Sequence, residues 1–152
     1  METEREIARV FTLRWSDADA NGHVRHTVYS ELGVEARMAF LRAGGFGWNE
    51  IEAAGIGPVL LREELEYLRE LTIDEQVRVD LRVAGASPDG GRWRIRHQIS
   101  KANGELAARV TVTGGWIDLH ARRLTHPPAA LKALFDVAPR TEDFEELKSL
   151  RR

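Results

Sequence analysis

The sequence predicts an α+β domain in which an antiparallel sheet of roughly five strands packs on one buried helix. Three observations predict it. Residues 28–43 hold good helix formers whose apolar side chains spread over more than one helical face. Residues 76–84 and 92–100 alternate apolar and polar side chains, the pattern of strands buried on one side. Short turn sequences, Ser87-Pro88-Asp89-Gly90-Gly91 and Ala102-Asn103-Gly104, join successive strands as hairpins.

In chain order, Ile7 to Trp15 reads as a strand, because Phe11, Leu13 and Trp15 alternate toward a core. It runs into the polar loop 16–23, where Gly22 can take the positive φ of a sharp reversal. Val28 to Ala43 follows as the main helix, with Thr27 as its expected N-cap and Gly44-Gly45 as its stop. Gly33 inside it is costly to helix propensity, which predicts that another backbone approaches there. Pro58 to Leu71 fits both periods: Leu61, Leu65 and Leu68 suit a helix, while Val59, Leu61, Leu65 and Tyr67 suit a strand. In 76–84, Val77, Val79, Leu81 and Val83 share one face; in 92–100, Trp93, Ile95, His97 and Ile99 do. Leu106 to Leu119 reads as a long strand bent at Gly114-Gly115, and Pro127 to Phe135 as a short helix with proline at its start.

The 152 residues fit one domain, 1–152, with no internal repeat or linker. A hydrophobic fraction of 43% and a charged fraction of 30% are those of a globular chain. The net charge of -2 offers no general attraction to a polyanion, so nucleic acid is not an expected partner. The absence of cysteine excludes disulfides and thiolate metal sites. No apolar run approaches a membrane span, and the acidic start Met1 to Glu6 is unlike a signal peptide. A cytoplasmic protein without membrane or cofactor is the expectation.

The chemistry concentrates in Asp17-Ala18-Asp19-Ala20-Asn21-Gly22-His23. It starts like a calcium loop, with oxygen ligands at alternate positions and glycine at the sixth, but the twelfth position is Val28 where a bidentate Glu belongs, and a strand precedes it instead of a helix. His23 and His26 lack a third ligand at convincing spacing, so no metal is expected. What remains is a loop carboxylate directly before the N-terminus of a buried helix. The free N–H groups of that terminus can stabilise a developing oxyanion, and the carboxylate can attack an acyl carbon or activate water to do so.

The run Arg14-Trp15-Ser16-Asp17-Ala18-Asp19-Ala20-Asn21-Gly22-His23-Val24, followed by Tyr29 and the helix Glu31 to Leu41, resembles the hotdog-fold acyl-CoA thioesterases of the 4-hydroxybenzoyl-CoA thioesterase type. Leu65-Glu66-Tyr67, Asp74 to Val77, Asn103-Gly104, Ile117-Asp118 and Pro127-Pro128 resemble later family elements, so the likeness covers most of the chain. It implies the hotdog fold, a long helix wrapped by an antiparallel sheet, and it makes Pro58 to Leu71 a strand. It implies hydrolysis of a thioester of coenzyme A or of an acyl-carrier protein, without cofactor, in a homodimer or a tetramer of dimers. The family's catalytic carboxylate falls on Asp19, with Asp17 supporting. His26, seven positions on, takes the place whose backbone N–H polarises the thioester carbonyl, and Gly22, Val24, Thr27 and Tyr29 are the substrate-binding candidates. Here Arg25-His26 stands where the closest members have two asparagines, so no acyl preference carries over.

Each residue also has a plainer reading. Asp19 suits an Asx-turn and His26 a helix cap. His23 reads as structural, His97 as a buried hydrogen-bonded histidine, and Tyr29 as core. Arg92, Arg94 and Arg96, or Arg122 and Arg123, match coenzyme A phosphates chemically, against a solvated sheet face as the simpler reading. Two other functions fit the same residues: a non-catalytic acyl-CoA or acyl-carrier binding module, and a hotdog dehydratase or hydratase.

Overall fold

The computed structural model describes residues 6–149, so most of the acidic N-terminal start lies outside the described residues. Eight strands and three helices follow: β1 Ala8–Thr12, α1 His26–Ala43, α2 Trp48–Ala53, β2 Ile56–Tyr67, β3 Gln76–Asp80, β4 Arg82–Ala86, β5 Arg92–Lys101, β6 Leu106–Asp118, β7 Arg123–Thr125, α3 Ala129–Asp136 and β8 Arg140–Glu146. The sheet runs from β2 through β6 and β5 to the broken strand β3/β4. Beyond that, β1 lies along the β3 half and β8 along the β4 half. All pairings are antiparallel except β4 with β8.

α1 spans about 27 Å at 1.5 Å per residue. Its buried residues Val28, Tyr29, Leu32, Gly33, Ala36, Arg37, Phe40 and Leu41 form one stripe of helical period. The sheet curves around that stripe, which is the hotdog arrangement, and Val34 at the border of the stripe is 39% exposed. The core between them is filled by Val77, Val79, Leu81 and Val83 with Ile95, Ile99, Val110, Val112 and Trp116.

Several expectations are corrected. The helix starts at His26, not Val28, and Arg25 instead of Thr27 occupies the cap position, with no side-chain cap bond. Trp15 leaves the first strand for a short 3-10 turn over Trp15–Asp17 and is 78% exposed. Pro58 to Leu71 is strand, as the resemblance implied, through Tyr67. A bulge between Leu60 and Arg62 displaces Leu61 outward, which is why its apolar residues fit no single period.

The segment 76–84 is two strands in one register: Val79 faces Ile99 and Arg82 faces Arg96, but between them the Asp80 carboxylate takes the Gln98 N–H. The atoms nearest to a Cβ at Gly33 belong to side chains and not to the expected backbone: Arg37 Nη1 at 3.1 Å, His97 Cδ2 at 3.2 Å and Val110 Cγ1 at 3.5 Å. Gly114 does not break β6. It admits Trp93, because a Cβ would sit 2.5 Å from that ring and 2.4 Å from the Val59 carbonyl.

The arginines Arg92, Arg94 and Arg96 of β5 are part-exposed, and two of them are engaged by β8. Arg94 pairs with Glu145, and Arg96 pairs with Asp143 at 2.9 Å, so β8 covers that face.

Candidate active site

The loop before α1 is a small hairpin built by its own backbone. Arg25 N–H donates to the Asp17 carbonyl at 2.7 Å, Asp19 N–H to the His23 carbonyl at 2.7 Å, and Gly22 N–H to the Asp19 carbonyl at 3.1 Å. Gly22 takes φ 78° to close the turn, a conformation that a side chain would strain. A second layer holds the hairpin against the body. Val24 N–H donates to the Leu71 carbonyl at 2.8 Å, and His23 bridges Thr72.

The two aspartates of the loop have opposite environments. Asp17 is buried, and its carboxylate accepts the Arg14 N–H at 2.8 Å and Arg14 Nη2 at 3.1 Å. Burial works against its charge, but these Arg14 contacts outweigh it and hold the carboxyl below its usual range. Asp19 is exposed. Its Oδ1 accepts the N–H groups of Asn21 at 2.8 Å and His23 at 3.1 Å, the Asx geometry of the plainer reading. Among the described residues Oδ2 has no donor, so one carboxylate oxygen fixes the side chain and the other is unengaged.

The return arm delivers the chain straight into α1. Because no side chain caps it, the N–H groups of His26 and Thr27 have no protein acceptor among the described residues. His26 and Thr27 are exposed, and the His26 carbonyl accepts the Tyr67 hydroxyl at 3.3 Å. Val24 and Tyr29 are core residues beneath this surface. The Tyr29 ring meets Tyr67 edge-on at 5.1 Å, and its hydroxyl donates to the Arg69 carbonyl at 3.4 Å. The structure thus brings Asp19, Gly22, His26 and Thr27 to the exposed surface of one loop and helix start, with Val24 and Tyr29 supporting it from below. His23 is tied to Glu70 at 3.1 Å.

Two partners escaped sequence reasoning. Tyr67 and Glu63 lie on β2, and Glu63 accepts the Ser30 hydroxyl at 2.8 Å one turn into α1. The undecided period of that segment hid which side chains face the helix. His97 is buried as expected: its Nε2 accepts from Arg37 at 3.1 Å, which leaves Nδ1–H to donate to the Asp80 carbonyl at 2.7 Å. Burial drives its pKa down to about 4, so the ring is neutral. Among the described residues no group of three or more His, Asp or Glu side chains is placed to hold a metal ion, and no helix is long and apolar enough to cross a membrane.

Residues 13–135 match the sequence family described as the thioesterase-like superfamily. A protein of Aquifex aeolicus (strain VF5), provisionally described as an esterase, is 35% identical over 69 residues, which are 45% of this chain and 54% of that protein; the chain thus spans about half the length of that relative. Among solved structures, a Staphylococcus aureus protein in complex with CoA superposes with a TM-score of 0.84 at 20% identity, covering 99% of both chains. A 1,4-dihydroxy-2-naphthoyl-CoA thioesterase from Synechocystis superposes with a TM-score of 0.78 at 17% identity, covering 87% of this chain and 96% of that one. At these identities the likeness is one of fold.

Proposed function

The chain belongs to the thioesterase-like superfamily, and from that premise we propose that it hydrolyses an acyl-CoA thioester to the free acid and the thiol. The observation that carries the reading is the pairing of a fixed, half-engaged carboxylate, Asp19, with an uncapped helix N-terminus on the return arm of the same hairpin. The N–H groups of His26 and Thr27 receive the carbonyl oxygen and stabilise the tetrahedral oxyanion, because they are oriented before charge develops. Asp19 supplies the other half of the reaction. Its carboxylate either attacks the carbonyl carbon, forming an anhydride that water then opens, or takes a proton from the attacking water. In both routes water adds across the C–S bond, the acid keeps the oxygen and the sulfur leaves with the proton. Gly22 and Thr27 border the thioester, while Val24 and Tyr29 set the position of the loop.

The long edge strand β2 supports a homodimer. Among the described residues its outer edge pairs with no strand, and Leu60, Leu61 and Tyr67 are exposed on it, an arrangement that single chains usually avoid. Pairing of two β2 strands gives the dimer; pairs of dimers give the tetramer.

The test is release of free thiol from short, long and aromatic acyl-CoAs, with acyl-carrier-protein thioesters as a second arm. The reading expects release from CoA thioesters. Saturable acyl-CoA binding without release would instead make the chain a binding module, and hydration of an enoyl thioester with the C–S bond intact would make it a hydratase.

A further inference from the structure

A cavity of about 190 Å³ lies between the C-terminal half of α1, the start of β2, strands β5 and β6, and α3. Its wall is apolar, with Phe40, Ile95, Trp116 and Phe135 prominent, yet Arg37 also lines it. Arg37 as a whole residue is 5% exposed. Its Nη1 donates to His97, and the nearest acting anion is Glu63, whose charge favours the cation from beyond ion-pair distance, so among the described residues no carboxylate pairs with it directly. Trp93 in the same wall carries a buried indole N–H without an acceptor. Apart from the weak thioether of Met38, every hydrogen-bonding side chain of the wall is therefore a donor only.

A cation in apolar surroundings is costly until an anion meets it, and guanidinium meets carboxylate in a forked geometry. The hydrocarbon wall asks for an apolar body on that anion. An apolar cavity of about 150 Å³ takes up benzene, so this one has room for a single ring or a branched chain of similar size. We infer that the cavity binds a compact organic acid, its carboxylate on Arg37 and its apolar body against Phe40, Trp116 and Phe135. A free acid is also what thioester hydrolysis releases, but the inference stands on the cavity alone and holds whether or not the chain is a hydrolase.

Benzoate and benzamide, equal in shape and different in charge, are the probes for calorimetric titration of the full chain. Benzoate binds, and benzamide binds at least about tenfold more weakly. Val34→Trp fills the cavity rim at a position 39% exposed, so it abolishes benzoate binding with the melting curve retained. Arg37→Met weakens benzoate by at least about tenfold. Should Arg37→Met melt early, the benzamide comparison and Val34→Trp still decide. Equal binding of the two probes, benzoate binding unchanged in Val34→Trp or in a folded Arg37→Met, or no benzoate binding at roughly 10 mM, overturns the inference.

Discussion

Two aspartates separated by one alanine divide structure from chemistry. Asp17 is buried under contacts from Arg14, and its carbonyl anchors Arg25, so it holds the hairpin that precedes α1. Asp17→Ala should lower stability by about 1–2 kcal/mol, the usual cost of losing such a cap acceptor, read as a shift in the urea midpoint. His97 gives a pH signature. Its folded pKa of about 4 lies below the ordinary histidine value of 6.5, so between those values the unfolded chain binds a proton that the folded chain does not. Its contribution to stability is complete above that window and is lost as pH falls through it, at up to about 1.4 kcal/mol per pH unit. Unfolding curves of wild type and His97→Gln across pH 4 to 7 should converge toward acid, and parallel curves would count against a neutral buried imidazole. The Asp17 and His97 environments were readable in outline from sequence, since one lay in the loop signature and the other on an apolar strand face. The Arg37–His97 contact was not, because it joins residues sixty positions apart.

At the scale of elements, Gly114 shows how one missing side chain sets a packing arrangement. A methyl group there meets the Val59 carbonyl and the Trp93 ring well inside contact distance. Gly114→Ala should therefore destabilise by about 1–3 kcal/mol, as overpacked cores do, with the loss visible in thermal melts and in Trp fluorescence. Strands β5 and β6 were legible because their alternation is regular and their turns are rich in glycine. The break at Leu81 was invisible, since the apolar period continues across it while a carboxylate replaces a ladder bond. β8, Arg-Thr-Glu-Asp-Phe-Glu-Glu, has too little apolar alternation to betray a strand. Its place is fixed by Glu145 and Asp143 on the arginines of β5, a long-range pairing that local pattern does not encode. α2 is short and has no side-chain cap, so it left no start signal.

For the whole molecule, the open edge of β2 and the loop before α1 make two separable predictions. Leu61→Lys, which places a charge on an exposed edge position, should shift sedimentation from dimer toward monomer while leaving the fold of the chain intact. A wild-type chain that sediments as a monomer at all concentrations would remove the β2 dimer. The central claim is that Asp19 and the uncapped start of α1 together cleave a thioester, and it is tested most directly by single-turnover thiol release from an acyl-CoA that the wild type hydrolyses. The account predicts that Asp19→Asn loses about 10²–10⁴-fold in rate with an unchanged melting curve, the range expected for a general base or attacking carboxylate. Asp19→Asn turning over at the wild-type rate would contradict it.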